Sequence, residues 1–107
     1  MTDYSKYIWH NDKIIDWDNA NIHVMSHVIH YGSGVFEGIK CYNTHLGPAI
    51  FRLNCHIDRL YQSAETYGIK IPYKKQTLIS GCIDVVKQNS LTDSYIRPIA
   101  FYGYDTL

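Results

Sequence analysis

The sequence predicts an α+β domain: a mainly antiparallel sheet with two helices packed on one side. Short segments of alternating polarity, joined by turn formers, lie at both ends of the chain. Two consecutive segments between them repeat apolar residues at helical spacing. The 107 residues suffice for one modest core, and their 46% hydrophobic and 19% charged content is that of an ordinary soluble globular protein.

In order, YIWHNDKII (Tyr7 to Ile15) is a pair of apolar runs around Asn11-Asp12, residues that tolerate left-handed φ and favour a tight hairpin. DWDNANIHVMSH mixes turn formers with a short helical or irregular stretch. From Val35 to Tyr42 a strand is predicted, with Val35, Glu37, Ile39 and Cys41 alternating with Phe36, Gly38, Lys40 and Tyr42. NTHLGP turns the chain, and AIFRL returns as a second strand.

A helix from Cys55 to Tyr67 places Ile57, Leu60, Tyr61 and Ala64 on one face, with Asn54 as cap and Gly68 as stop. A second helix, from about Gln76 to Asn89, carries the stripe Leu78, Ile79, Cys82, Val85 and Val86. A last strand runs from Ser94 to about Tyr102, with Tyr95, Arg97, Ile99 and Phe101 on one face. Pro98 cannot donate to a ladder, so this strand is expected at an edge or bulged there. The chain stops at GYDTL without a closing element, which reads as a truncation.

Zero formal charge gives no electrostatic reason to expect nucleic acid or an anionic membrane as partner. No apolar run approaches membrane-spanning length. Cys41, Cys55 and Cys82, odd in number and without CxxC spacing, point to a reducing, cytoplasmic location. His23, His27 and His30 would share a helical face, but without a carboxylate or cysteine at ligand spacing they read as structural, and no metal is expected. Ten tyrosines suit surfaces that are half buried and half wet.

Three places stay open on residue chemistry alone. Arg59, among Cys55, Gln62 and Thr66, is either on a solvated helix face or part of an anion site. Tyr95 and Arg97 stand beside apolar groups, where the guanidinium suits either a ligand carboxylate or a structural salt bridge. In HYGSGVFEGI, Phe36 adjoins Gly38, and an interior strand glycine marks close approach of a ligand or of another backbone, or tight packing of the strand against its own neighbours.

Taken together, HVMSHVIHYGSGVFEGIKCY, FRLNCHIDRLYQSA and YIRPIAFYG resemble the N-terminal domain of branched-chain amino acid aminotransferases, fold-type IV enzymes that use pyridoxal phosphate. The resemblance runs from about Tyr7 to Gly103. Two of the motifs are shared in outline with D-amino acid aminotransferases and aminodeoxychorismate lyases, the alternative within the fold type; YIRP argues against them. An isolated, non-catalytic binding module is the alternative outside it.

The resemblance implies that Arg59 contacts the cofactor phosphate and that Phe36 and Gly38 line the substrate side-chain pocket. It implies Tyr95 near the substrate α-carboxylate, Arg97 reading the distal carboxylate of glutamate or 2-oxoglutarate, and Tyr31 reaching a neighbouring subunit's pocket in a homo-oligomer. The substrates implied are L-leucine, L-isoleucine and L-valine with their 2-oxo acids. The lysine that bonds the cofactor would lie in a larger C-terminal domain, absent from residues 1–107, so no catalytic residue is expected here and the chain alone is predicted inactive. Asn11-Asp12 departs from the Asn-Gly common in the family at that turn.

Overall fold

In the computed structural model, residues 5–103 are described, and the last part of GYDTL lies outside them. The first hairpin pairs β1 (Tyr7–His10) with β2 (Lys13–Asp16) in register Tyr7↔Asp16 and His10↔Lys13. Its two turn residues, Asn11 at φ 49° and Asp12 at φ 64°, both take the left-handed conformation that a type I′ turn demands. A 3-10 turn (Trp17–Asn19) and a five-residue helix α1 (His27–Tyr31) follow.

The predicted strand from Val35 to Tyr42 is interrupted. It forms β3 (Gly34–Phe36) and β4 (Ile39–Thr44). The strand predicted from Ser94 is broken opposite it, into β6 (Ser94–Ile96) and β7 (Ile99–Phe101). β3 pairs antiparallel with β7, Phe36 facing Ile99, and β4 with β6, Ile39 facing Ile96, so one register continues across both gaps.

The physical cause is Pro98. It stands where a ladder residue would exchange two hydrogen bonds with Glu37. The Glu37 N–H donates to the Pro98 carbonyl at 3.1 Å, but Pro98 has no N–H to return. Among the described residues β6 is at the edge of the three-stranded order β5-β4-β6, as the proline required.

β5 covers Gly47–Ile50, so the predicted AIFRL strand is shorter at its end and begins earlier. The chain then turns sharply through Arg52 at φ 55°, and helix α2 (Leu53–Thr66) starts there. Asn54 therefore lies inside the first turn and is not the cap. The other end behaves as expected: Gly68 is left-handed at φ 73°. Its N–H donates to the Glu65 carbonyl at 3.0 Å, and the Ile69 N–H donates to Ala64 at 2.8 Å, a Schellman closure.

Helix α3 (Lys75–Gln88) ends at Asn89. The Asn89 side chain accepts from the Tyr7 N–H at 3.0 Å and donates to the Tyr7 carbonyl at 3.0 Å, tying α3 to β1. Gly81 allows the same approach nearby. A Cβ there would meet the Trp9 indole at 2.6–2.7 Å, a contact the sequence reading did not anticipate.

The core forms where α2 and α3 meet the sheet. Val35, Ile57, Leu60, Ala64, Ile69, Leu78 and Cys82 make one buried cluster, with Ile50, Ile79 and Ile96 against its border. Both helical stripes point inward as predicted. The fold is α+β, with every strand pair antiparallel.

Candidate active site

Strand alternation gives the interrupted ladder two unlike faces. Val35, Glu37, Ile39 and Cys41 are buried toward the helices, whereas Phe36, Gly38, Lys40 and Tyr42 lie on the open face. On the partner strands Tyr95, Arg97 and Ile99 are exposed and Ile96 and Ala100 are half-buried. Four of the six predicted site residues therefore share one surface.

They also touch. The Arg97 guanidinium lies 4.4 Å from the centre of the Phe36 ring and 5.5 Å from that of Tyr95. Its Nη2 donates to the Tyr95 phenol oxygen at 3.1 Å. No carboxylate among the described residues pairs with Arg97, so the structural salt bridge considered from the sequence is not formed there. A guanidinium lying on aromatic faces keeps its N–H edge available for an anion.

Gly38 is closely approached by a side chain of the adjacent strand, the packing alternative that the sequence left open. A Cβ on it would overlap the Tyr95 phenol, with the ring's Cζ at 3.0 Å and Cε2 at 3.2 Å. The bare position is thus a seat for Tyr95.

Arg59 belongs to the covered side. Glu37, in the gap between β3 and β4 and flanked by Phe36 and Gly38, turns the other way and meets α2. Arg59 Nε donates to both carboxylate oxygens at 3.0 Å, and Nη2 donates to Oε1 at 2.8 Å. His56 Nδ1 donates to the same oxygen at 2.8 Å. A carboxylate can only accept, which fixes the proton on Nδ1. The Arg59 hydrogen bonds hold the Glu37 carboxyl below the usual carboxylate range, overcoming the opposing pull of burial, with His56 adding to the effect. Glu37 in turn pushes the Arg59 pKa up.

Even so, the Arg59 side chain is 66% exposed, and the solvated-face reading describes only part of it. Glu37 consumes its Nε–Nη2 edge and leaves the N–H groups of Nη1 and one of Nη2 able to hold an oxyanion. The sequence analysis assigned no role to Glu37 or His56. The signal was present: period two puts Glu37 among core positions, and His56 and Arg59 are three apart on one helix face.

Tyr31 stands apart. It is 74% exposed on α1, its ring 4.4 Å from that of His27. The three histidines each have local partners: His23 Nδ1 accepts from the Met25 N–H, His27 Nδ1 bonds Ser33 Oγ, and His30 Nε2 donates to the Val24 carbonyl. Two clefts of about 510 and 250 Å³ lie elsewhere, beside Trp17 and between Trp9 and α3. The candidate site is an open sheet face and not an enclosed pocket.

The profile described as amino-transferase class IV matches residues 34–106, which takes in the whole interrupted ladder, Arg59 and helices α2 and α3. The chain belongs to this family. Among curated relatives, the branched-chain-amino-acid aminotransferase of Escherichia coli (strain K12) is 45% identical over 102 residues, 95% of this chain and 33% of the relative. The crystal structure of the Escherichia coli branched-chain amino acid aminotransferase superposes with a TM-score of 0.91, covering 94% of this chain and 34% of that one, at 45% identity. The T.th. branched-chain amino acid aminotransferase complexed with N-(5'-phosphopyridoxyl)-L-glutamate superposes with a TM-score of 0.94 at 40% identity, covering 97% and 35%. The chain thus spans about a third of the length of these branched-chain aminotransferases. Among the described residues no helix is long and apolar enough to cross a membrane.

Proposed function

We propose that this chain is the N-terminal small domain, residues 1–107, of a branched-chain aminotransferase. The enzyme would move the amino group between L-leucine, L-isoleucine or L-valine and 2-oxoglutarate with pyridoxal phosphate. The single observation that carries this reading is the Arg97 guanidinium resting over the Phe36 ring beside the Tyr95 phenol, with no carboxylate among the described residues paired to it.

Such a transaminase must accept an apolar branched side chain and a charged glutamate side chain in one place. Phe36 supplies apolar wall. Arg97, cushioned on aromatic rings and without an ion pair among the described residues, can turn its fork toward a distal carboxylate, or remain where it is when the substrate is apolar. On this reading the Tyr95 hydroxyl, seated by Gly38, would donate toward the substrate's α-carboxylate.

For the cofactor, the donor set fits one part of it. A phosphate dianion needs N–H donors, and Arg59 retains them after Glu37 is satisfied. When bound, pyridoxal phosphate supplies the electron sink. The covalent lysine is assigned to a C-terminal domain outside this chain. Lys75 is paired with Asp58 at 3.1 Å, and Lys40 leans over the Tyr42 ring. On this reading the open face is closed by the second domain, and Tyr31, exposed on α1, is donated to a neighbouring subunit of a homo-oligomer. The free Cys41, Cys55 and Cys82 are in keeping with a cytoplasmic enzyme.

The test is Arg97→Met in the intact enzyme. The half-reaction with glutamate should fall by about a hundredfold, the scale expected when a charge-paired hydrogen bond is lost, while that with leucine changes less than about threefold. Equal losses would remove the assignment. The chain by itself should transaminate nothing, and borohydride treatment with pyridoxal phosphate should trap no single lysine.

A further inference from the structure

Among the described residues Glu37 is the only charged side chain that is buried. Its neighbours on that strand face are Val35, Ile39 and Cys41, so the position is one where an apolar residue would be expected. Buried ion pairs are weak devices for stability, because well-packed apolar residues of similar volume often serve as well. Something besides holding the fold together must favour a carboxylate here.

The geometry supplies a candidate. Arg59 is a long side chain on the exposed flank of α2, and a free arginine loses rotamer freedom each time it meets an anion. Glu37 removes that freedom in advance. It engages Nε and Nη2 together, and because the guanidinium is planar, fixing one edge fixes the direction of every remaining N–H. His56, one helical turn before Arg59, binds Oε1 and stops the carboxylate from turning.

We propose that Glu37, steadied by His56, is a positioning residue: it grips Arg59 by the Nε–Nη2 edge so that the Nη1 edge is presented to the cofactor's phosphate in one orientation. This rests on the reading of Arg59 as the phosphate contact. Glu37 brings a negative charge near a dianion, so its benefit must come through orientation, and the effect should be specific to the phosphate.

The test is made on the intact enzyme in its apo form, by equilibrium dialysis against pyridoxal phosphate and, separately, against pyridoxal, which lacks the phosphate. The ratio of the two affinities isolates the phosphate contribution. Glu37→Gln should lower the ratio about tenfold, on the scale of losing one preorganised charged hydrogen bond, and leave the pyridoxal affinity unchanged. Glu37→Asp keeps the buried charge but draws it back by one methylene. It should lower the ratio as well, and it serves alone if the glutamine variant does not fold. Arg59→Lys should lower the ratio, and adding Glu37→Gln to it should do nothing more. If Arg59→Lys lowers the ratio while both Glu37 variants leave it unchanged, Glu37 is a packing residue and the proposal is overturned. If Arg59→Lys itself has no effect on the ratio, the phosphate reading of Arg59 fails, and the proposal with it.

Discussion

Arg59 and Arg97 address opposite faces of the same ladder and are held in opposite ways. Arg59 meets a buried carboxylate through three N–H···O contacts. Arg97 meets two aromatic faces and a phenol, with no carboxylate among the described residues. The difference teaches what each can do. A guanidinium locked to an internal anion can present its remaining donors but cannot move. One cushioned on rings can leave them at little cost, and so can serve a site that is sometimes charged and sometimes apolar. Neighbouring residues where β3 ends make this division, because Phe36 and Glu37, in continuing extended register, point to opposite sides.

The largest effect should appear when the two faces are cut back by comparable amounts. Ile39 is fully buried and Phe36 is 53% exposed. Ile39→Ala should destabilise the chain by about 2–5 kcal/mol, the range for a large-to-small change in a core. Phe36→Ala should cost under about 1 kcal/mol, since little of its surface is withdrawn from water. Urea unfolding of both variants makes the measurement. Similar losses would mean that the open face is part of the core, and the contrast between the arginines would lose its basis.

An intermediate effect separates the arginines directly. Removing Arg59 leaves Glu37 buried with only His56, whereas removing Arg97 leaves no buried charge behind. At pH 7 Arg59→Met should lower the urea midpoint more than Arg97→Met, though less than Ile39→Ala. The pH dependence has a definite sign. The Glu37 carboxyl is held below its reference value of 4.5 in the folded chain, so the unfolded chain takes up its proton first. The stabilisation is complete above that value and is lost as pH falls through the lower folded value. The gap between the native chain and Arg59→Met should therefore narrow toward pH 3, while Arg97→Met should run parallel to the native chain throughout. A gap that persists unchanged in acid would deny Glu37 its role.

How much of this was legible in the sequence depended on the range of the cause. The α2 stripe Ile57, Leu60 and Ala64 and the Gly68 stop follow from local periodicity and backbone freedom, and both appear where expected. Pro98 announced trouble in the last strand, but not that the opposite strand would break at Glu37-Gly38. That requires the register, which is a long-range fact. Asn54 was misread because the turn into α2 is set by Arg52 in a left-handed conformation, which composition does not disclose. The open-face grouping of Phe36, Tyr95 and Arg97 follows once period two is combined with pairing. The Glu37–Arg59 contact needs α2 placed over β3, and no local pattern supplies that.

The smallest effect concerns Gly38, and it tests what keeps the open face in order. Unlike Gly68, Gly38 does not sit in the left-handed region, so an alanine would meet no backbone strain there. What it meets is the Tyr95 ring, with Cζ 3.0 Å from the added carbon. Tyr95 is 54% exposed, so the ring can swing aside. Overpacking would be relieved in this way, and the lower entropy of the unfolded alanine chain offsets part of what remains, so Gly38→Ala should change stability by less than about 1 kcal/mol. The displacement should still be plain in the Tyr95 ring resonances, which ought to shift well beyond those of Tyr61, anchored on the Tyr73 carbonyl at 2.6 Å. Arg97 should lose its phenol partner at the same time, and its Nε–H signal should move with the ring. A loss above about 2 kcal/mol would show Tyr95 to be pinned rather than seated. Arg97 would then rest on a rigid shelf, and its freedom to turn toward a carboxylate would have to come from its own side chain alone.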